Sequence, residues 1–208
     1  MIGVLNLGLS NLSSVTDCLA RLEIPHRVVD RDAPGIDADA FILPGVGAFP
    51  AGRERLAERG FDVLLPRAVA AGVPVLGICL GMQLMFQYGE EDGGAEGLGL
   101  FEGRVTRLPD SVRLPHIGWN RVQPVKGDAG PVLAALEDEP HMYFVHDYRA
   151  EGLSPGTELA STEHDGVRFP AVCGRARVLG VQFHPEKSGP AGARFITAFA
   201  RWAVEVRA

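Results

Sequence analysis

Short apolar runs and stretches of helical spacing alternate through residues 1–90. Residues 2–7 (Ile-Gly-Val-Leu-Asn-Leu) read as a strand. Asn11 or Ser13 is placed to cap a helix that runs to about residue 22. Pro25 opens a second strand over 26–29, and Ala40-Phe41-Ile42-Leu43 forms a third, stopped by Pro44-Gly45. Residues 53–71 keep helical spacing, interrupted at Gly60 and Pro66. Residues 73–78 read as a buried strand, and 80–88 as the helix that follows it. Strands alternating with helices predict βαβ units, a parallel sheet and right-handed crossovers.

The pattern changes beyond residue 90. Residues 93–103 are glycine-rich and predict a loop. Strand-like pieces follow at 104–125, 142–145, 157–162, 167–173 and 178–183, some of them expected to pair antiparallel. Residues 189–206 predict a final amphipathic helix. No stretch reads as a linker, so residues 1–208 are expected to form a single domain. The fold class is α/β: a central, mostly parallel sheet flanked by helices, with an additional, partly antiparallel strand region.

One strand-to-helix junction carries chemistry. Gly77-Ile78-Cys79-Leu80-Gly81 is a nucleophile elbow with sulfur in place of oxygen. The turn is tight, and side chains two before and two after its centre would collide, so glycine stands at both places. The thiol would sit at the start of the 80–88 helix, where free N–H groups and the dipole favour thiolate. A thiol nucleophile needs a base, and the base needs an orienter. Of six histidines, His184 ends the 178–183 strand and precedes Pro185-Glu186. Proline holds the residue before it extended, and residues i and i+2 of an extended segment share a side. Glu186 can therefore hold one imidazole nitrogen while the other faces Cys79. Amide attack also needs backbone donors for the oxyanion. The Leu80 N–H is one candidate, and Val46 or Gly47 in the Pro44-Gly45-Val46-Gly47 loop is the other.

Composition narrows the partners. The net charge of −6 and sequence pI near 5.5 give no bulk attraction to nucleic acid or anionic membrane. No apolar run approaches the ~20 residues of a membrane helix, and residues 1–7 carry no basic flank or cleavage site. Cys18, Cys79 and Cys173 are too scattered for a disulfide scaffold or a zinc site. A reducing cytoplasm, no metal and no cofactor are the resulting expectations.

Gly77-Ile78-Cys79-Leu80-Gly81-Met82-Gln83 together with His184-Pro185-Glu186 resembles the class I (triad) glutamine amidotransferases. Three further segments are similar to one branch, the glutaminase subunits of imidazole glycerol phosphate synthases. They are Pro44-Gly45-Val46-Gly47, Pro115-His116-Ile117-Gly118-Trp119-Asn120, and Tyr143-Phe144-Val145-His146 with Tyr148. The resemblance implies a flavodoxin-like glutaminase domain in a heterodimer with a (β/α)8-barrel cyclase, to which ammonia travels. It implies Cys79 as nucleophile, His184 as base and acid, and Glu186 as orienter. It implies Gln83, Gly47 and the backbone of Asp147 and Tyr148 as glutamine contacts, and Asn11, Trp119 and Tyr143 as partner-facing. Two positions depart from the family pattern: Ser10 replaces the usual Gly before Asn11, and Asp147 replaces the usual Ser or Thr. A carboxylate at 147 would repel the glutamine α-carboxylate unless it turns away or pairs with Arg149.

Three rivals remain at this level. One is the glutaminase subunit of another triad amidotransferase, against which the Pro-His-x-Gly-Trp-Asn segment argues. Another is a non-catalytic protein of the same fold with a reactive elbow cysteine, which need not carry His-Pro-Glu. The last is a glutamine-binding regulatory module, which would tolerate Cys79→Ala.

Overall fold

Alternating side chains in the central strands send apolar residues to two different layers, which is why helices cover both faces of the sheet. In the strand Ala40–Gly45, Ile42 joins one buried cluster while Phe41 and Leu43 join the other. A computed structural model describes residues 1–9, 11–32, 38–125 and 130–206, so Ser10 lies outside the described residues. The strands are β1 (Ile2–Leu5), β2 (His26–Val29), β3 (Ala40–Gly45), β4 (Val75–Cys79), β5 (Phe86–Gly89), β6 (Ala95–Glu96) and β7 (Phe101–Arg107). They continue with β8 (His116–Arg121), β9 (Gln123–Pro124), β10 (His141–His146), β11 (Tyr148–Glu151), β12 (Glu158–His164), β13 (Val167–Arg175) and β14 (Val178–Val181). The helices are α1 (Leu12–Arg21), α2 (Phe49–Glu58), α3 (Phe61–Ala70), α4 (Leu80–Gln83), α5 (Gly130–Ala134) and α6 (Gly189–Glu205).

The main sheet has the order β2-β1-β3-β4-β14-β13-β12-β9. It is parallel from β2 to β14 and antiparallel from there to β9. That is the mixed α/β architecture expected from the sequence. Val15, Leu19, Phe195 and Phe199 of α1 and α6 pack on one face; Leu56, Phe61 and Leu65 of α2 and α3 pack on the other. Each such fully buried side chain contributes about 1.5–3 kcal/mol. A second sheet (β11-β7-β5-β6) and a two-stranded ribbon (β10-β8) stand beside the C-terminal ends of the parallel strands.

Several elements differ from the expectation. The helix after Cys79 covers only Leu80–Gln83, and residues 86–89 form a strand. So short a helix has little stability of its own. Pairing of β5 with β7 and the Phe86–Phe101 ring contact (5.4 Å) prevail over it. The 93–103 loop contains β6 and the first residues of β7. The helix expected from residue 53 starts at Phe49 and breaks at Gly60, whose φ is 72°. Pro66 lies inside α3 without ending it. Burial of Phe61, Leu64, Leu65 and Ala68 offsets the roughly 3 kcal/mol that an interior proline costs.

Candidate active site

The ends of four adjacent parallel strands converge on Cys79. It closes β4 with φ 52° and ψ −110°, a backbone region that a non-glycine residue enters only when its surroundings force it. The flanking glycines create the space. A Cβ on Gly77 would lie 2.7 Å from the Gly81 backbone, and one on Gly81 would overlap the Leu43 carbonyl of β3. The elbow therefore depends on close packing against β3 as well as on its own tightness. With α4 a single turn, the helix dipole at Cys79 is small. Gln182 Nε2 donates to Cys79 Sγ at 3.7 Å, and Val145 O lies 4.0 Å from the sulfur.

His184 follows β14 in extended conformation (φ −103°, ψ 92°), and Pro185–Lys187 make a single 3-10 turn. Its Nδ1–H donates to Glu186 Oε1 at 2.7 Å, with both side chains fully buried. Ser188 Oγ donates to His184 O at 2.6 Å and accepts from Tyr143 N at 2.9 Å, tying the turn to β10. His184 Nε2 is buried without a hydrogen-bond partner, so it is the nitrogen open to Cys79. Burial disfavours the imidazolium, but the electrostatic influence of nearby Cys79 and then the hydrogen bond and charge of Glu186 outweigh it. The His184 pKa rises to about 10, so the ring holds its proton at neutral pH. Cys18 and Cys173 are also buried, and burial pushes both thiols up, away from reactivity.

Cys79 opens onto a cavity of about 380 Å³ lined by Val46, Gly47, Leu80, Gln83, Glu91 and Asp147 among others. That volume suits a ligand of amino-acid size. Gly47 has φ 108°, a left-handed conformation that favours glycine, and nothing lies within 4 Å of where a Cβ would be. Gln83 Nε2 donates to Gln182 Oε1 at 3.1 Å and to Tyr148 O at 3.3 Å. Arg149 pairs with Glu151 at 3.7 Å, so it is not the Asp147 partner that the sequence suggested. Asp147 instead shares the cavity wall with Glu91, whose Oε2 accepts from Phe49 N at 2.6 Å. Burial raises the Glu91 pKa, the Phe49 hydrogen bond opposes that, and Asp92 and Asp147 add to the rise.

Sequence reasoning missed Glu91 and Gln182. Gln182 lies past the end of β14 at Val181, in a bend, so strand alternation does not place it. Glu91 sits in an irregular segment with no periodic signal. Asn11 precedes α1 but makes no side-chain cap; its Nδ2 donates to Glu186 Oε1 at 2.7 Å. Trp119 is 56 % exposed and Ile117 59 %, and Trp119 meets the half-buried Tyr143 edge-on at 6.1 Å. Among the described residues no cluster of His, Cys, Asp or Glu could hold a metal, and no helix is long and apolar enough to cross a membrane.

Residues 3–202 match the family Glutamine amidotransferase class-I. The "Imidazole glycerol phosphate synthase subunit HisH" of Symbiobacterium thermophilum is 48% identical over 95% of this chain and 92% of its own length. That of Bacillus subtilis is 42% identical over 99% of this chain and 98% of its own. The solved "Structure of PurLQS from Thermotoga maritima" shares the fold with TM-score 0.76 at 18% identity, covering 97% of each chain. A solved "Crystal structure of glutamine amidotransferase" shares it with TM-score 0.74 at 21% identity, covering 98% of each. The chain belongs to the class-I glutamine amidotransferases and, within them, to the HisH subunits of imidazole glycerol phosphate synthase.

Proposed function

We propose that the chain, acting as one amidotransferase domain over residues 1–208, hydrolyses glutamine for a cyclase partner in histidine biosynthesis, with Cys79, His184 and Glu186 as its catalytic triad. The observation that carries this reading is the strained Cys79 elbow, open to a glutamine-sized cavity and backed by the buried His184–Glu186 pair.

The thiolate of Cys79 attacks the side-chain amide carbon of glutamine, with its proton held on His184. The developing oxyanion is met by the Leu80 N–H and by the Val46–Gly47 loop once that peptide is turned inward. The imidazolium of His184 gives its proton to the departing nitrogen, and ammonia leaves a thioester on Sγ. Water, deprotonated by His184, attacks the thioester; glutamate departs and the sulfur takes up its charge again beside the imidazolium. Glu186 holds the ring through Nδ1 in both halves. Gln83 and the Asp147–Tyr148 backbone shape the pocket for the amino-acid end of glutamine, and Glu91 with Asp147 favours its α-ammonium group. The α-carboxylate must then point away from both, towards backbone N–H groups.

The partner reading is a heterodimer with a (β/α)8-barrel cyclase in the cytoplasm. The cyclase uses the ammonia to form imidazole glycerol phosphate and an aminoimidazole carboxamide ribonucleotide. The exposed Trp119 and Ile117 and the half-buried Tyr143 form an apolar patch beside His184 and are the proposed docking surface, with Asn11 at its triad edge. Orientation of the Gly47 peptide by the docked, loaded cyclase would gate the glutaminase. Treating the complex with an electrophilic glutamine analogue and mapping the adduct by mass spectrometry tests the nucleophile. Labelling confined to Cys79 is expected. Equal labelling of Cys18 or Cys173 would refute it.

A further inference from the structure

The ribbon of β8 and β10 has two unlike faces. Strand alternation turns Ile117 and Trp119 outward and His116 and Asn120 inward. The inward face carries buried histidines that the mechanism does not use. His146 Nδ1 lies 2.7 Å from Tyr148 O, His116 Nδ1 lies 2.9 Å from His146 Nε2, and Asn120 Nδ2 lies 3.2 Å from His116 Nε2. Asn120 is itself fixed, because its Oδ1 accepts from Arg121 N at 2.8 Å and its Nδ2 also donates to Glu163 O at 2.6 Å.

The two ends determine every proton in this chain. A carbonyl only accepts, so His146 carries its proton on Nδ1. The Nε2 of a neutral His146 is then an acceptor, so His116 donates from Nδ1. The Nε2 of a neutral His116 is in turn an acceptor, which suits the Asn120 N–H. Burial foremost holds both rings neutral: His116 falls to about 4, helped by the charge of His164, and His146 to about 3, helped by that of His116. Among the described residues no group of three or more His, Cys, Asp or Glu could hold a metal ion at these rings.

The chain ends on a carbonyl that belongs to the glutamine pocket. Tyr148 O also accepts from Gln83 Nε2 at 3.3 Å, and Tyr148, His146 and Gln83 all line the cavity with Cys79. Leu108 N, one residue past the end of β7, donates to the neighbouring Asp147 carbonyl at 2.8 Å. The alternation of an antiparallel ladder then turns both backbone groups of Tyr148 away from β7. The Tyr148 carbonyl belongs to the peptide that follows this residue, and the relay holds that group, while the Leu108 bond to the Asp147 carbonyl holds the peptide carrying the Tyr148 N–H.

We propose that His116, His146 and Asn120 are positioning residues for glutamine binding, a one-directional hydrogen-bond relay that runs from the inner face of β8 and holds the Tyr148 carbonyl at the wall of the Cys79 pocket. The proposal rests on the glutaminase reading of that pocket. It also gives the ribbon a physical route from the face bearing Trp119 to the substrate, because Asn120 and Trp119 are neighbours on one strand.

The test uses the complex with its cyclase, and its first arm needs no variant. Long-range 15N–1H NMR of wild type should show His116 and His146 neutral, each protonated on Nδ1, at neutral and mildly acidic pH. Protonation of either on Nε2, or an imidazolium at pH about 6, would overturn the relay. The second arm compares three variants by the split of KM from kcat. His146→Leu removes both hydrogen bonds. His146→Gln places its amide at the Nε2 position and leaves Tyr148 O with only the longer bond from Gln83. His146→Asn places an N–H donor at the Nδ1 position. Leu and Gln should raise the KM for glutamine about tenfold, the effect of one lost hydrogen bond, with a smaller change in kcat, and Asn should recover most of that loss. Equal behaviour of Gln and Asn, or a wild-type KM in the Leu variant, would overturn the proposal. A wild-type complex that hydrolyses no glutamine would instead refute the glutaminase reading, with the NMR result still deciding the relay.

Discussion

Replacing Glu186 by Gln changes the charge of the buried triad and almost nothing of its shape. The Gln Oε1 can still accept from His184 Nδ1 and from Asn11 Nδ2, both now 2.7 Å from the carboxylate oxygen. What is lost is the ionic character of a hydrogen bond whose two side chains are 0 % exposed. A hydrogen bond to a charged group is worth about 1.5–3 kcal/mol. If that much is missing where His184 is an imidazolium, kcat falls about 10- to 150-fold. The pH profile must move as well. His184 is held at about 10 in the native chain, by Cys79 and Glu186 against the effect of burial. Loss of the Glu186 charge lowers that value, so the alkaline limb of kcat shifts to lower pH. The stability linkage has the same origin: a histidine with a raised folded pKa stabilises fully below its unfolded value near 6.5 and loses that contribution as pH rises through about 10. Glutamate release by the complex across pH about 6 to 11 reads both effects. Turnover of the cyclase with added ammonia reports that assembly is intact. An unchanged kcat together with an unmoved alkaline limb would refute the role given to Glu186.

Three further outcomes follow from the geometry. Gly81→Ala should lower the denaturation midpoint sharply, because its Cβ overlaps the rigid Leu43 carbonyl and overpacking costs about 1–3 kcal/mol or more; a wild-type midpoint in urea would contradict the elbow packing. Glu91→Gln should raise the KM for glutamine about tenfold with little change in kcat, measured on the complex; an unchanged KM would remove Glu91 from ammonium recognition. His116 and His146 are neutral when folded and titrate near 6.5 when unfolded, so the unfolded chain takes up more protons as pH drops. Stability should fall by up to about 1.4 kcal/mol per pH unit for each ring between pH about 6.5 and 4, and His146→Asn should remove one ring's share in urea titrations at stepped pH.

The elbow was legible because its constraint is local. Two glycines around Cys79 answer clashes that any such turn creates, and backbone lies where their side chains would be. The mixed sheet was legible for a similar reason, since buried parallel strands read as continuous apolar runs. The extent of α4 was not. Residues 84–88 keep helical spacing, but their conformation is set by β7, whose pairing lies beyond any local window. Nor does the sequence show that Asn11 reaches Glu186, a contact 175 positions away. The histidine relay was equally hidden. His116 and His146 stand 30 positions apart and meet only through the register of β8 with β10. Gln182 and Glu186 stand two residues either side of His184, but β14 ends at Val181 and Glu186 lies in a 3-10 turn, so the extended alternation expected from the sequence places neither.

The central claim is that Cys79 generates ammonia for a partner. The most direct measurement is glutamine hydrolysis by the wild-type chain and by Cys79→Ala, each with and without the cyclase subunit carrying its nucleotide substrate. Glutamate release should require the loaded cyclase and be abolished by Cys79→Ala, while the Cys79→Ala complex still forms imidazole glycerol phosphate from added ammonia. Hydrolysis that survives Cys79→Ala would contradict the claim.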